Sequence, residues 1–214
     1  MTESHPAHAG AIPSTIWACG PTDLPDPSDP WPLAVLNRAI IELSAPAAQV
    51  LLLSATRTQQ LAGRWSCSQL ADTGREISAI AVADSPARPG RGEADLVIAS
   101  LLRVHGSPYP ADIHTRLALT ASDYLRGDGV LAVLTRCAHS ATGILDDATG
   151  SVVAAAQAAD LLYLSHLVAA PVHDDTVAAP KLEPGHRHEV VHTDVTVFIR
   201  PDDQHHAAVI ADAA

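Results

Sequence analysis

Apolar residues first recur at helical spacing at Leu33, Leu36, Ala39, Ile40 and Leu43, directly after Pro30 and Pro32. This spacing predicts a helix over residues 33–43 with one buried stripe. The turn Ala45-Pro46-Ala47-Ala48 leads into residues 49–53, continuously apolar after Gln49, the pattern of a strand covered on both faces. Similar runs at residues 77–83 and 94–99 predict two more strands, separated by a Pro/Gly/Arg loop that ends at Gly92. Beyond Pro110 a helix is expected to about Leu125, with Ile113, Leu117, Ala121 and Tyr124 on one face, ended by Gly127-Asp128-Gly129. Residues 130–134 form the next buried strand.

The C-terminal third changes character. Residues 151–159 are Ala-rich and helical, and Asp160 then interrupts before residues 161–169, which we read as a strand. Residues 189–200 alternate, with Val191, Val195, Val197 and Ile199 on one side and His192, Asp194 and Thr196 on the other, so they are expected to form a strand. Helices alternating with apolar strands give an α/β, Rossmann-like, doubly wound sheet, mostly parallel and finished by an antiparallel C-terminal strand pair. The expected organisation is an irregular N-terminal arm over residues 1–31, one α/β domain over 32–200 and a frayed tail over 201–214.

Composition narrows the function classes. Only 3% of residues are aromatic, so Ala, Val, Leu and Ile must fill the core. The formal charge of -11 opposes unaided binding to nucleic acid, for which phosphate contacts supply most of the affinity. Cys19, Cys67 and Cys137 are widely spaced and lack a CxxC pattern, which points to a reducing compartment rather than a disulfide framework. No apolar run approaches the roughly 20 residues that span a bilayer, and residues 1–14 lack a basic and apolar leader, so a cytoplasmic protein with no membrane partner is expected.

Four stretches resemble the DNA-methylase-like, S-adenosylmethionine-dependent class I methyltransferases of high-GC bacteria. They are Ser14-Thr15-Ile16-Trp17-Ala18, the helix and strand of residues 31–53, the strand Ala94-Asp95-Leu96-Val97-Ile98-Ala99-Ser100 with the later Leu125-Arg126-Gly127-Asp128-Gly129, and the run from Ala154 through His192-Thr193-Asp194 to Phe198. The resemblance implies a cofactor turn after the first strand, at Ser54 and Thr56, and an acidic residue beyond the second, for which Asp84 and Glu76 are the nearby options. It also implies a catalytic loop beginning at Ser100.

Both loops depart from the family pattern. The turn reads Ser54-Ala55-Thr56-Arg57-Thr58-Gln59-Gln60, with no glycine until Gly63, although only glycine lets backbone approach the cofactor closely. Leu101-Leu102-Arg103 stands where the family has Pro-Pro-Tyr. Ser107-Pro108-Tyr109 is a candidate shifted remnant. The interval between the first strand and the Asp95 strand is too short for two full β-α units, so one unit is expected to be reduced.

The expectation is therefore a methyltransferase-fold pseudoenzyme that binds no cofactor and acts by association, as a homodimer or beside an active relative. The alternative is an active S-adenosylmethionine-dependent enzyme on a nucleic acid or small molecule. It would use Ser54, Thr56 and Asp84 toward the cofactor and Ser100, His105 and Tyr109 in catalysis.

Other constellations carry less. The histidines of Gly185-His186-Arg187-His188, His192 and His205-His206 lack the cysteine company of structural metal sites, and no metal is expected. His192 and Asp194 share a strand face, where a hydrogen-bonded structural pair accounts for them without catalysis. Neither a nucleophile elbow nor a P-loop is present. Trp17, Trp31 and Trp65 are read as packing anchors, with a partner surface as the alternative. Arg88-Pro89-Gly90-Arg91 and Arg103 are where a phosphate contact would be sought first.

Overall fold

The computed structural model describes residues 15–20, 29–83, 90–103, 109–139, 145–173, 176–177 and 192–202. The elements in order are β1 (Ile16–Cys19), α1 (Leu33–Leu43), β2 (Gln49–Ser54), α2 (Arg57–Gln69), β3 (Glu76–Ala81), β4 (Ala94–Ser100), α3 (Ile113–Tyr124) and β5 (Leu125–Thr135). A short β6 (Ala138–His139) and β7 (Leu145–Asp146) follow, then α4 (Thr149–Ala158), β8 (Leu162–His173), β9 (Thr176–Val177) and β10 (Thr193–Ile199).

The main sheet runs β1-β8-β10-β5-β4-β2-β3. Neighbours β5, β4, β2 and β3 are parallel. β10 inserts between β5 and β8 and is antiparallel to both. This is the expected mostly parallel, Rossmann-like α/β sheet with antiparallel strands at its C-terminal end. Among the described residues no strand or α-helix separates β3 from β4, and β3 ends the sheet as an edge.

Helices cover the sheet from both sides, which is why its central strands carry nearly unbroken apolar runs. One core joins Val35, Leu36, Ala39 and Ile40 of α1 to Leu52, Ile98 and Leu134, together with the buried rings of Trp17 and Trp31. The other joins Ile113, Leu117, Ala121 and Tyr124 of α3 and Val152 and Ala156 of α4 to Leu53, Val97, Leu131 and Val133. Strand alternation sends consecutive residues to opposite layers, so Leu131 and Val133 meet α3 and α4 while Ala132 and Leu134 meet the α1 side.

Several features depart from the pattern-based expectation. Residues 16–19, inside the segment expected to be an irregular arm, form β1 and pair in parallel with β8, with Trp17 only 2% exposed. Helix α2 was not expected, because its buried face is Gln59, Gln60, Gly63 and Ser66 while Leu61 and Trp65 lie outside. An apolar-periodicity test therefore finds no stripe there. Trp65, read as a packing anchor, is 59% exposed and is not one.

Gly127-Asp128-Gly129 lies within β5 rather than before it. Asp128 adopts a left-handed φ of 60° and donates its N–H to Arg200 O at 2.9 Å. A Cβ at Gly129 would stand 2.9 Å from Arg126 O and 3.0 Å from Ala94 O, so the backbones of β4 and β5 approach too closely for any side chain. Gly129→Ala should therefore cost about 1–3 kcal/mol through forced backbone displacement. Gly150→Ala, whose Cβ meets nothing within 4 Å, should change stability by less than about 1 kcal/mol. Urea denaturation of the two variants checks the contrast.

Candidate functional site

The carboxyl ends of β2 and β4 lie side by side, with Ser54 opposite Ser100 in the parallel register. In open α/β sheets this end of the strands is where ligands bind. Both serines are fully buried. Ser100 Oγ donates to Pro30 O at 2.6 Å and accepts from Leu102 N at 3.2 Å, while Ser54 Oγ has no hydrogen-bond partner.

Between these strand ends lies the side chain of Gln59, 1% exposed. Thr56 caps α2 in an extended conformation and accepts from Gln59 N at 3.2 Å. Gln59 Oε1 returns the bond, accepting from the N–H groups of Thr56 at 3.2 Å and Ala55 at 3.0 Å, which makes a capping box. Its Nε2 donates to Leu102 O and to Tyr109 Oη, each at 2.7 Å. Tyr109 Oη donates in turn to Leu102 O at 3.0 Å. Trp31 Nε1 donates to Gln59 O at 2.9 Å, and Gly63 leaves room for the Trp31 ring, because a Cβ there would lie 3.2 Å from Trp31 Nε1. The first glycine after β2 thus serves helix packing rather than a turn.

The structure accordingly brings Thr56 and Tyr109 into one network through Gln59, with Ser100 joined to it through Leu102 and Ser54 beside it. His105 and Asp84 lie outside the described residues, as do Ser107, Pro108, Arg88, Pro89 and the histidines at 186, 188, 205 and 206. Gln59 was missed as a site residue, although Thr56-x-x-Gln59 is the legible signature of a capping box. Burial pushes the Tyr109 phenol above its usual pKa, against the opposing influence of Gln59 and Arg103, so it stays protonated at neutral pH.

Beyond Tyr109 a cavity of about 240 Å³ opens at the ends of β4 and β5, between the first turns of α3 and α4. Leu101 and Thr135 line it inside, and Tyr109 and His114 line it further out. Thr135 is 2% exposed and its hydroxyl has no hydrogen-bond partner. The mouth carries an Arg103–Asp146 ion pair at 2.9 Å, with Arg103 stacked 5.9 Å from the Tyr109 ring centroid. Burial lowers the His114 pKa and raises that of Cys137, whose charge is further opposed by Asp194, Asp147 and Asp146. Hydrogen bonds from Thr149 hold Asp147 below the usual carboxylate range. Apart from Tyr109 and Arg103, these lining residues gave no sequence signal, because β5, α3 and the β7–α4 turn converge only in space.

On the next strands His166, which the sequence pattern did not single out, joins the expected His192–Asp194 pair. His166 Nε2 lies 2.9 Å from Asp194 Oδ1 and His192 Nε2 lies 3.4 Å from Oδ2, while Asp194 is 4% exposed. The β8–β10 register sets Thr196 opposite His166, which puts His166 one step diagonally from Asp194 on the same face. Arg136 donates to Thr193 Oγ1 at 3.2 Å. Among the described residues no group of three or more His, Cys, Asp or Glu side chains could hold a metal ion, and no helix is long and apolar enough to cross a membrane.

No protein-family model matches the chain, and no curated protein matches it. Solved structures do. One is the Burkholderia thailandensis 1,6-didemethyltoxoflavin-N1-methyltransferase with bound 1,6-didemethyltoxoflavin and S-adenosylhomocysteine, 14% identical over 83% of this chain and 80% of that one, with a TM-score of 0.49. Another is a TehB-like SAM-dependent methyltransferase from Corynebacterium glutamicum, 12% identical over 77% and 86%, TM-score 0.44. A third is a geranyl diphosphate methyltransferase in complex with SAM, 12% identical over 87% and 97%, TM-score 0.45.

Gln59→Ala should destabilise the fold by about 3 kcal/mol, since it strands buried N–H and carbonyl groups, as read from the urea midpoint. The Asp194 carboxylate holds the His192 pKa above its ordinary 6.5, so the stabilisation is complete below that value and is lost as pH rises through the folded pKa. The urea midpoint should fall as the pH rises above about 6.5, and Asp194→Asn should flatten that slope. His114, with its lowered pKa, acts in the separate window below its ordinary value.

Proposed function

We propose that the chain is a methyltransferase-fold protein that has lost cofactor binding and catalysis and works by association. The observation that carries this reading is the buried Gln59 carboxamide. At a strand-to-helix turn of this kind, free backbone N–H groups and the helix N-terminus are what receive an anionic or polar ligand group. Here the N–H groups of Ala55 and Thr56 are engaged by Gln59 Oε1. The residues present do not fit S-adenosylmethionine for three reasons. The turn has no glycine before Gly63, Ser54 and Ser100 are fully buried, and the Ser100 hydroxyl is committed to Pro30 O.

Association is supported by α2, whose Leu61 and Trp65 are 66% and 59% exposed one helical turn apart. Such a pair suits a contact with a second copy or with an active relative. Isothermal titration of the full chain with S-adenosylmethionine is expected to show no binding; micromolar affinity would sink the reading and restore that of an active methyltransferase. Sedimentation analysis tests the second half: Trp65→Ser should weaken self-association or binding to the active relative, and an unchanged assembly state would argue against this face.

A further inference from the structure

We propose that the outer face of α2 docks an acidic amphipathic helix of a different protein. The inference deepens the association reading given above and rests on it, since it names the chemistry of the partner and sets aside self-pairing of this face.

α2 is inverted relative to an ordinary surface helix. Its buried side is made of Gln59, Gln60, Gly63 and Ser66, and it is held to the fold by the hydrogen bonds of Gln59 and the close contact of Gly63 with Trp31. Its outward side carries Leu61 at 66% and Trp65 at 59% exposure. These two residues lie one turn apart, and Arg64, three positions after Leu61, shares their face. Tryptophan and arginine dominate binding energy where a partner covers them, so an indole, a leucine and an arginine together compose the centre of a contact rather than a solvated surface.

Charge selects the partner. The chain has 24 acidic and 13 basic residues, yet the only charged residues of α2 are Arg57 and Arg64. Arg57 is already engaged. Arg64 is exposed and makes no hydrogen bond or ion pair among the described residues, so its charge is left for a partner. Asp72 lies beyond the C-terminal end of the helix. Carboxylates set beside an apolar anchor answer Arg64, whereas a basic partner meets repulsion. Symmetric pairing of α2 with α2 would bring arginine toward arginine in two chains that each carry a formal charge of -11. A helix is the occupant because the spacing of Leu61 and Trp65 presents the ridge that packs into the groove of a second helix.

The test uses tryptophan fluorescence of the full chain, because Trp17 and Trp31 are buried and Trp65 alone among the indoles is open to a quencher. A synthetic amphipathic helix with leucines on one face and flanking glutamates, added up to millimolar concentration, should shield Trp65 from acrylamide. The same peptide with lysine in place of each glutamate should bind about fivefold to tenfold more weakly. Arg64→Glu, at an exposed position, should reverse that order with an unchanged circular dichroism spectrum. No shielding by either peptide, equal shielding by both, or an unchanged order in Arg64→Glu would overturn the proposal. So would shielding by phosphatidylglycerol vesicles in place of the acidic peptide, or a homodimer in sedimentation that Trp65→Ser dissolves. The homodimer would leave the association reading standing, whereas S-adenosylmethionine binding counts against that reading alone.

Discussion

The turn between β2 and α2 is organised by one buried carboxamide. Gln59 engages two backbone N–H groups of its own turn, the carbonyl of Leu102 beyond β4 and the hydroxyl of Tyr109, and its own carbonyl receives the Trp31 indole. A group this polar is stable at 1% exposure only because its hydrogen-bonding capacity is met. In meeting it, Gln59 ties together the turn, the exit of β4 and the segment ahead of α1. The constraint reaches further, since Pro30 receives Ser100 and Gly63 makes way for Trp31.

A second polar layer lies across the sheet. β10 enters between β5 and β8 with Asp194 and Thr196 on the face opposite Val195 and Val197, and both faces of the strand are buried. Alternation that would ordinarily mark a half-exposed strand here distributes polar groups into the interior. His166 and His192 then flank the Asp194 carboxylate, and Thr135 and Thr196 retain buried hydroxyls with no hydrogen-bond partner. A hollow of about 360 Å³ lies at the far end of the strands beside Leu51, Ile80 and Tyr124, away from the closed turn.

Much of the architecture was legible from apolar spacing. α1, α3 and α4 and the strands β2, β3 and β4 were read at nearly their observed bounds, because their burial is paid in hydrophobic side chains whose period survives in the chain. That no glycine stands between Ser54 and Gly63 was equally legible. α2 was not, since its inner face is buried through hydrogen bonds and a close helix–Trp31 contact rather than through an apolar stripe. β1 was hidden because four residues within a Pro- and Asp-rich segment carry too little pattern to declare a strand. It is fixed by its pairing with β8.

What the sequence by itself determined is the layered α/β framework and the absence of glycine from the turn that follows β2. Local periodicity encodes burial, and residue identity alone shows a missing glycine. Only the tertiary structure decided what fills that turn. That Gln59 reaches Leu102 and Tyr109, that Thr135 lines a cavity and that His166 meets Asp194 depend on contacts across 43, 50 and 28 positions of chain in the bonded cases. Hydrogen-bond partners at such separations are set by sheet register and helix placement, which no local pattern carries.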